Sequence, residues 1–244
     1  MGTDSGEMPS SPKVRIVDNL KDFWNSSKTS DFTIVTQDQK FFVHRTVICM
    51  QSDFFNQMCK NDWTETQKKT IELKEDNPRA VEAMLKFFYG LDIFAPNDIP
   101  PMLFWVSVYQ IADKFLASQL KSDVTERFVP LVHYNWEDEC FPEVIAEAYD
   151  STRPDDRGLR DTILKVAYEN LPALRKSNEF QRVLREIPGF AADLILAMDI
   201  YDCELVPTRC MTAACQAEWF CPRGNLYPKC PKCAKRSVQH GYLG

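Results

Sequence analysis

Hydrophobic residues in the first part of the chain are spaced as in β-strands. Between residues 30 and 43, apolar and polar side chains alternate on both sides of a polar turn at residues 37–39. This period of two predicts a β-hairpin with one buried face. The alternating apolar residues are Phe32, Ile34, Phe41 and Val43. A further short strand is expected at residues 70–73, after a polar loop.

Most of the remaining apolar residues recur at helical spacing. The stripe at positions 81, 84, 85 and 88 predicts a helix over residues 76–89, with Asp76 or Asn77 as its N-cap and Gly90 at its end. Other helices are expected at residues 16–25, 46–60, 101–115, 117–128, 142–149, 159–171, 178–186 and 190–202. The pattern therefore predicts an α/β unit, a helical middle and an end of different character.

Composition narrows the classes of protein that fit this pattern. The 244 residues are 44% hydrophobic and 26% charged, which excludes global disorder, and the net charge of -6 disfavours a whole-chain nucleic-acid binder. No apolar run approaches the 18 residues of a membrane span. Residues 1–13 predict a disordered leader and lack the apolar segment of a secretory signal, so we expect an intracellular protein.

Short motifs follow one another in a fixed order between residues 31 and 114. They are Asp31, Val43-His44-Arg45, Ser52-Asp53-Phe54-Phe55, Glu65, Ile71-Glu72-Leu73, Asp76-Asn77-Pro78, Phe88-Tyr89 and Ala112-Asp113-Lys114. This ordered set resembles the BTB/POZ domain family. The resemblance implies a short sheet surrounded by helical hairpins over residues 14–125, followed by a helical extension at 126–202 and a cysteine-rich tail at 203–244. The whole arrangement resembles small BTB proteins of filamentous fungi.

The resemblance implies a non-catalytic protein–protein interaction module that commonly forms homodimers. Family dimers often use the N-terminal helix, which corresponds to residues 16–25 here. Its apolar stripe is either a dimer surface or a part of the domain's own core. The stripe consists of Ile16, Leu20, Phe23 and Trp24.

Asp31 and Arg45 match positions that line a partner pocket in repressor-type members of the family. A structural ion pair between the two is the alternative. We interpret the adjacent His44 as a core or capping histidine whose hydrogen bonds are satisfied.

A second implied role is that of substrate adaptor for a cullin-type ubiquitin ligase. BTB adaptors of that class share an apolar-x-Glu element in the loop after a domain helix. Trp63-Thr64-Glu65 stands at the matching place. Alternatively, Glu65 pairs locally and Trp63 covers the domain's own core.

Six of the nine cysteines lie in the last 42 residues. Cys210, Cys215, Cys230 and Cys233 form a C-x4-C and a C-x2-C pair separated by 14 residues, which is typical of a zinc ribbon. We therefore expect a structural zinc, with ribbon strands at 217–220 and 225–227. Three alternatives remain open. Cys221 or His240 replaces Cys215 as a zinc ligand, Cys203 is buried, or the tail is flexible and its cysteines are reduced. Outside the tail, Cys49, Cys59 and Cys140 are expected to be small buried apolar residues.

Catalytic motifs are not evident in the sequence. Neither GxGxxG nor GxxxxGK[ST] occurs, and the three histidines are far apart, so we expect no enzyme. The alternative function is that of a transcription or chromatin regulator. Its tail, with six Lys/Arg against one acid, would touch nucleic acid, and Trp219, Phe220 and Tyr227 would stack on bases. The acidic remainder of the chain makes this contact the less favoured hypothesis.

Overall fold

The computed structural model describes residues 20–61, 68–201, 205–210, 212, 214–222 and 229–235. The chain divides into two compact units, Met1–Tyr134 and Asn135–Gly244. The domain boundary expected after residue 125 falls within one continuous helix, Ser118–Asn135. The leader expected at residues 1–13 lies outside the described residues.

The first unit contains a three-stranded sheet. β1 (Phe32–Val35) pairs with β2 (Lys40–Val43) antiparallel and with β3 (Thr70–Glu72) parallel, in the order β2-β1-β3. The alternating apolar residues of the hairpin are at most 2% exposed, which confirms the period-two prediction. Ile34 stands opposite both Phe41 and Ile71, so the central strand contributes a buried residue at the middle of the sheet.

The described residues of this unit also form five helices, the last of which reaches the end of the unit. They are α1 (Arg45–Gln51), α2 (Asp53–Lys60), α3 (Pro78–Phe88), α4 (Pro101–Lys114) and α5 (Ser118–Asn135). The predicted helix 46–60 is divided at Ser52, whose backbone is extended. The Ser52 hydroxyl accepts the Phe55 N–H at 3.2 Å and donates to the carbonyl of Phe115. Ser52 therefore ends α1 and caps α2, a division that apolar periodicity alone does not reveal.

Helix α3 begins and ends where the sequence predicts. The side chain of Asn77 accepts the N–H groups of Arg79 and Ala80 at 3.0 and 3.3 Å, so Asn77 rather than Asp76 is the N-cap. After the helix, Gly90 adopts φ 69°, in the left-handed region that favours glycine.

The described part of the N-terminal segment contains a 3₁₀ turn. Of the helix expected at 16–25, the described residues show a 3₁₀ turn at Lys21–Phe23, and residues 16–19 lie outside them. Asn25, at φ 52°, accepts the Phe42 N–H through its side chain at 2.8 Å. This bond ties the segment to β2 and stops the turn from continuing as a helix.

The second unit begins as a helical bundle. Its helices are α6 (Phe141–Ser151), α7 (Gly158–Glu169), α8 (Leu171–Leu174), α9 (Asn178–Glu186) and α10 (Pro188–Tyr201). Phe141, Phe180 and Phe190 are fully buried among them. Buried Arg160 donates to the carbonyls of Tyr149 and Thr152, which joins the end of α6 to α7.

A two-stranded sheet follows the bundle. β4 (Leu205–Arg209) pairs antiparallel with β5 (Glu218–Pro222). The strand predicted at 217–220 is therefore present, but its partner is the segment before Cys210. The strand expected at 225–227 lies outside the described residues.

Candidate interaction surface and metal centre

Asp31 and Arg45 meet at the start of α1. An Asp31 carboxylate oxygen accepts the backbone N–H of Arg45 at 2.8 Å, so Asp31 satisfies one of the unpaired N–H groups of the first helical turn. The Arg45 guanidinium instead donates to the carbonyl of Cys59 at 3.4 Å. These two described residues are thus joined through the backbone and not by the predicted alternative of an ion pair.

His44 and Tyr89 form a polar pair beside that helix start. The Tyr89 hydroxyl lies 2.8 Å from both the backbone nitrogen and Nδ1 of His44, and Nε2 lies 3.0 Å from the Thr29 hydroxyl. Burial, together with the charge of Asp31, raises the pKa of Tyr89 to about 12 against the opposing effect of the His44 N–H. His44 is at the N-cap position of α1, and its ring is fully engaged, as predicted.

The apolar stripe before β1 is partly internal. The Trp24 ring packs on Phe41 and Tyr89, with ring centroids 6.0 and 5.4 Å apart. Phe23 contacts the ring of His44 edge-on but remains 42% exposed. Within the described residues, Trp24 therefore belongs to the domain core, while Phe23 retains surface for another contact.

Trp63 and Glu65 lie outside the described residues, in the connection between α2 and β3. Near one end of this connection, Cys59 of α2 is joined to Cys49 of α1 by a disulfide. The two cysteines are half-buried and paired, rather than the buried apolar residues that the sequence suggested. No sequence signal distinguishes this pair, because the cysteines come from different helices.

Four cysteine sulfurs converge in the tail. Cys210 and Cys233 have their Sγ atoms 3.5 Å apart, those of Cys215 and Cys230 are 3.8 Å apart, and all four lie within 4.8 Å of one another. Sulfurs that bind one zinc tetrahedrally at about 2.3 Å are about 3.8 Å apart. The four residues proposed from spacing therefore form a cluster that could hold a metal ion.

Two tight turns present these sulfurs. Gln216, after Cys215, and Ala234, after Cys233, both have left-handed backbones, with φ of 44° and 57°. The Lys232 N–H donates to Cys230 Sγ at 3.4 Å. The Ala217 backbone N–H lowers the pKa of Cys215, but burial and the neighbouring thiols raise it to about 11 overall. A bound metal ion would favour the thiolate form of Cys215.

The alternative ligands are not brought to this cluster by the described part of the chain. Cys203 and His240 lie outside it, and Cys221 is described only as a backbone position in β5. A contact of the tail with the helical part of the same unit was not predicted from the sequence. Lys229 Nζ lies 2.5 Å from a Glu137 carboxylate oxygen and 5.6 Å from the centre of the Trp136 ring. The 92-residue separation of this pair leaves no local sequence signal.

Comparison with known proteins identifies the first unit. The family model of the BTB/POZ domain matches residues 20–126. This chain contains a BTB/POZ domain. Such domains are protein–protein interaction modules, so the described surface around α1 belongs to a module of that class. None of the described helices combines the length and apolar character needed to cross a bilayer.

Related proteins carry the same domain in different settings. The BTB/POZ domain and WD-repeat protein R154 of Acanthamoeba polyphaga mimivirus is 27% identical over 41% of this chain and 22% of its own length. BTB and MATH domain-containing protein 40 of Caenorhabditis elegans is 26% identical over 80% of this chain and 48% of its own length. The chain thus spans less than half the length of either relative. The BTB domain of human gigaxonin aligns with 50% of this chain and 96% of its own, at 19% identity and a TM-score of 0.37.

Proposed function

We propose that this chain is a self-associating interaction protein whose BTB/POZ domain also serves as a substrate adaptor for a cullin-type ubiquitin ligase. The observation that carries the adaptor role is the triplet Trp63-Thr64-Glu65 between α2 and β3 of a BTB/POZ domain. BTB adaptors of that class resemble one another in an apolar-x-Glu element at this place.

The residues around the connection support its use as a docking element. Buried Met58 and Ile71 anchor its two flanking elements in the core, whereas Asn61, Lys68 and Lys69 are exposed. Tryptophan is among the residue types most often found as binding hot spots, and Glu65 would add a charged contact at the rim.

Purified full-length protein and the amino-terminal domain of a cullin test the adaptor role by calorimetry. The double variant Trp63→Ala/Glu65→Ala should bind roughly 30-fold more weakly or worse, as for loss of a hot spot of about 2 kcal/mol. Tyr134→Ala, which removes an aromatic ring that is 85% exposed elsewhere, is the matched control and should bind normally. Equal binding by wild type and the double variant, or no binding by either, refutes the adaptor role.

Self-association is proposed to use the stretch 16–25, with Phe23 as its accessible residue. Because Trp24 packs within the domain, deletion of the segment would damage the core, and a point variant is the cleaner test. Phe23→Glu should shift the protein from dimer to monomer in light scattering. Met50→Glu, at a side chain that is 77% exposed, should leave the dimer intact. A monomeric wild type contradicts the proposal.

Asp31 and Arg45 are proposed as part of the partner surface of the same domain. Both lie beside Phe23's contact with His44, at the exposed start of α1. Asp31→Asn and Arg45→Gln should each weaken binding to a partner protein. Arg45→Gln should also keep the wild-type melting temperature. If Arg45→Gln binds the partner protein as tightly as wild type does, Asp31 and Arg45 have a structural role alone.

The cysteine cluster is proposed to hold one structural zinc through Cys210, Cys215, Cys230 and Cys233. The sulfur separations match a tetrahedral site, and metal binding would supply folding free energy to a tail with few core residues. Elemental analysis should find one zinc per chain, lost in Cys230→Ser and retained in the control Cys140→Ser. Metal-free protein with an unchanged fold would contradict the zinc assignment.

The nucleic-acid role has weaker support. Two of the tail's described cations are already paired, since Arg209 donates to Glu218 at 2.8 Å and Lys229 contacts Glu137. Phosphate binding would have to break these pairs or use the remaining lysines. Fluorescence anisotropy with duplex DNA at low salt decides the matter: steeply salt-dependent binding that requires residues 207–244 favours the regulator, and no binding excludes it.

A further inference from the structure

A cleft of about 140 Å³ lies between the solvent side of α3 and the connection from α3 to α4. Its inner wall is formed by Ala83, Ile93 and Phe104. Each of these residues is only 3–4% exposed and therefore belongs to the core. A protein cavity of about 150 Å³ accommodates one benzene ring. The cleft thus has room for a single aromatic or aliphatic side chain.

Phe94 forms the outer wall of this cleft. It is 80% exposed although the connection that carries it is held at both ends, by a Leu91 N–H bond to Lys86 at 3.0 Å and an Ile99 N–H bond to Pro96 at 3.3 Å. A single exposed aromatic ring is common on protein surfaces, but Phe94 borders a cleft whose inner wall is apolar, so the ring and the cleft together form one apolar site. Covering Phe94 would remove apolar surface from water at little further cost in backbone entropy.

The charges at the rim define the chemistry of the occupant. Glu82 and Lys86 form an ion pair at 2.8 Å, so they neutralise each other. Arg79, one turn earlier on the same face of α3, is exposed and has no ion-pair partner among the described residues. The rim therefore offers one unpaired guanidinium, whose planar donors suit a carboxylate.

We propose that this α3 cleft is a docking site for a short acidic peptide of a partner protein. The peptide inserts one aromatic or aliphatic side chain against Phe94 and places an adjacent carboxylate at Arg79. The cleft is lined by residues other than Phe23 and the Trp63-Thr64-Glu65 triplet, so its test is independent of the adaptor and dimer proposals.

Fluorescence anisotropy on the full chain tests the site with three labelled peptides. The probe is Gly-Ser-Phe-Glu-Asp-Gly; one control replaces Glu-Asp with Lys-Lys, and the other replaces Phe with Ala. The probe should bind at least about tenfold more tightly than either control, the scale expected for one charged hydrogen bond or one buried ring. Failure of the probe to bind at about 1 mM, or equal binding of all three peptides, overturns the proposal.

Variants locate the binding. Arg79→Gln and Phe94→Ala should each weaken the probe about tenfold, and Arg79→Gln should abolish its advantage over the Lys-Lys peptide. Both side chains are exposed, so the variants should keep the wild-type melting temperature. Arg182→Gln, at an exposed arginine of the second unit, should bind normally, as should Trp63→Ala/Glu65→Ala. Normal probe binding by both Arg79→Gln and Phe94→Ala overturns the proposal.

Discussion

Removal of the Tyr89 hydroxyl is the most direct test of how the interaction surface is held in place. Tyr89 is fully buried, and its hydroxyl lies 2.8 Å from both the backbone nitrogen and the Nδ1 atom of His44. Tyr89→Phe keeps the ring that packs on Trp24 but deletes both bonds. The substitution therefore isolates the polar contribution from the packing contribution.

The size of the effect follows from what the deletion leaves behind. The His44 N–H at the start of α1 loses its acceptor in a half-buried place, while Nε2 keeps its contact with Thr29. Loss of a hydrogen bond costs about 1 kcal/mol, and a donor left unsatisfied by burial costs about 1–3 kcal/mol. We expect Tyr89→Phe to lower the free energy of unfolding by about 1–3 kcal/mol.

Urea unfolding of the full chain followed by tryptophan fluorescence measures the change. Hydrogen–deuterium exchange should locate it, with faster exchange in peptides that cover residues 40–52 and no change in those of α6–α10. Tyr134→Phe is the matched control, since its hydroxyl belongs to a side chain that is 85% exposed. A loss below about 0.5 kcal/mol for Tyr89→Phe, the range of ordinary surface changes, would refute the role assigned to the hydroxyl.

Three further predictions concern other parts of the fold. Burial raises the pKa of Tyr89 in the folded state to about 12 from its ordinary value of 10.0, so the contribution of Tyr89 to stability is complete below pH 10 and is lost as pH rises through 12. Tyr89→Phe should flatten this part of the pH profile of unfolding free energy. Asn77→Ala should cost about 1 kcal/mol through loss of the α3 cap, whereas Asn97→Ala, at an exposed loop position, should change little in the same urea assay. Arg160→Met should lower the free energy of unfolding by about 1–3 kcal/mol, because the carbonyls of Tyr149 and Thr152 lose their donor. The control Arg182→Met, at an exposed arginine, should change little, and equal melting temperatures for the two variants would contradict this prediction.

Local patterns predicted the elements of the BTB/POZ domain well because each pattern corresponds to one physical requirement. Alternation gave the hairpin since one face of β1 and β2 is buried, and the cap and glycine of α3 mark its ends. The break at Ser52 was missed because it depends on Phe115, 63 residues away, whose carbonyl accepts from the serine hydroxyl. Periodicity reports burial along an element and carries no information about such a distant acceptor.

The candidate metal site likewise has features that the sequence predicts and features that it does not. Cysteine spacing was enough to select four residues that lie together, because a metal site imposes its ligand geometry on short local segments. The pairing of β4 with β5 was not predicted, because strand pairing depends on which segments lie side by side in the folded chain. Nor does any spacing signal connect Lys229 with Glu137 or Cys49 with Cys59.

In this protein, polar groups that are hydrogen-bonded within their own unit differ from exposed groups that are available to a partner. His44 and Arg209 are residue types common in binding sites, yet each is hydrogen-bonded to a neighbour within its own unit. A group that already has its hydrogen bonds gains little from a partner, because binding must first break them. Phe94 and Arg79, by contrast, lie on ordered backbone with apolar surface and charge turned to solvent. Internal hydrogen bonding thus assigns His44 and Arg209 to the scaffold, whereas Phe94 and Arg79 are the exposed groups on which the proposed α3 cleft depends.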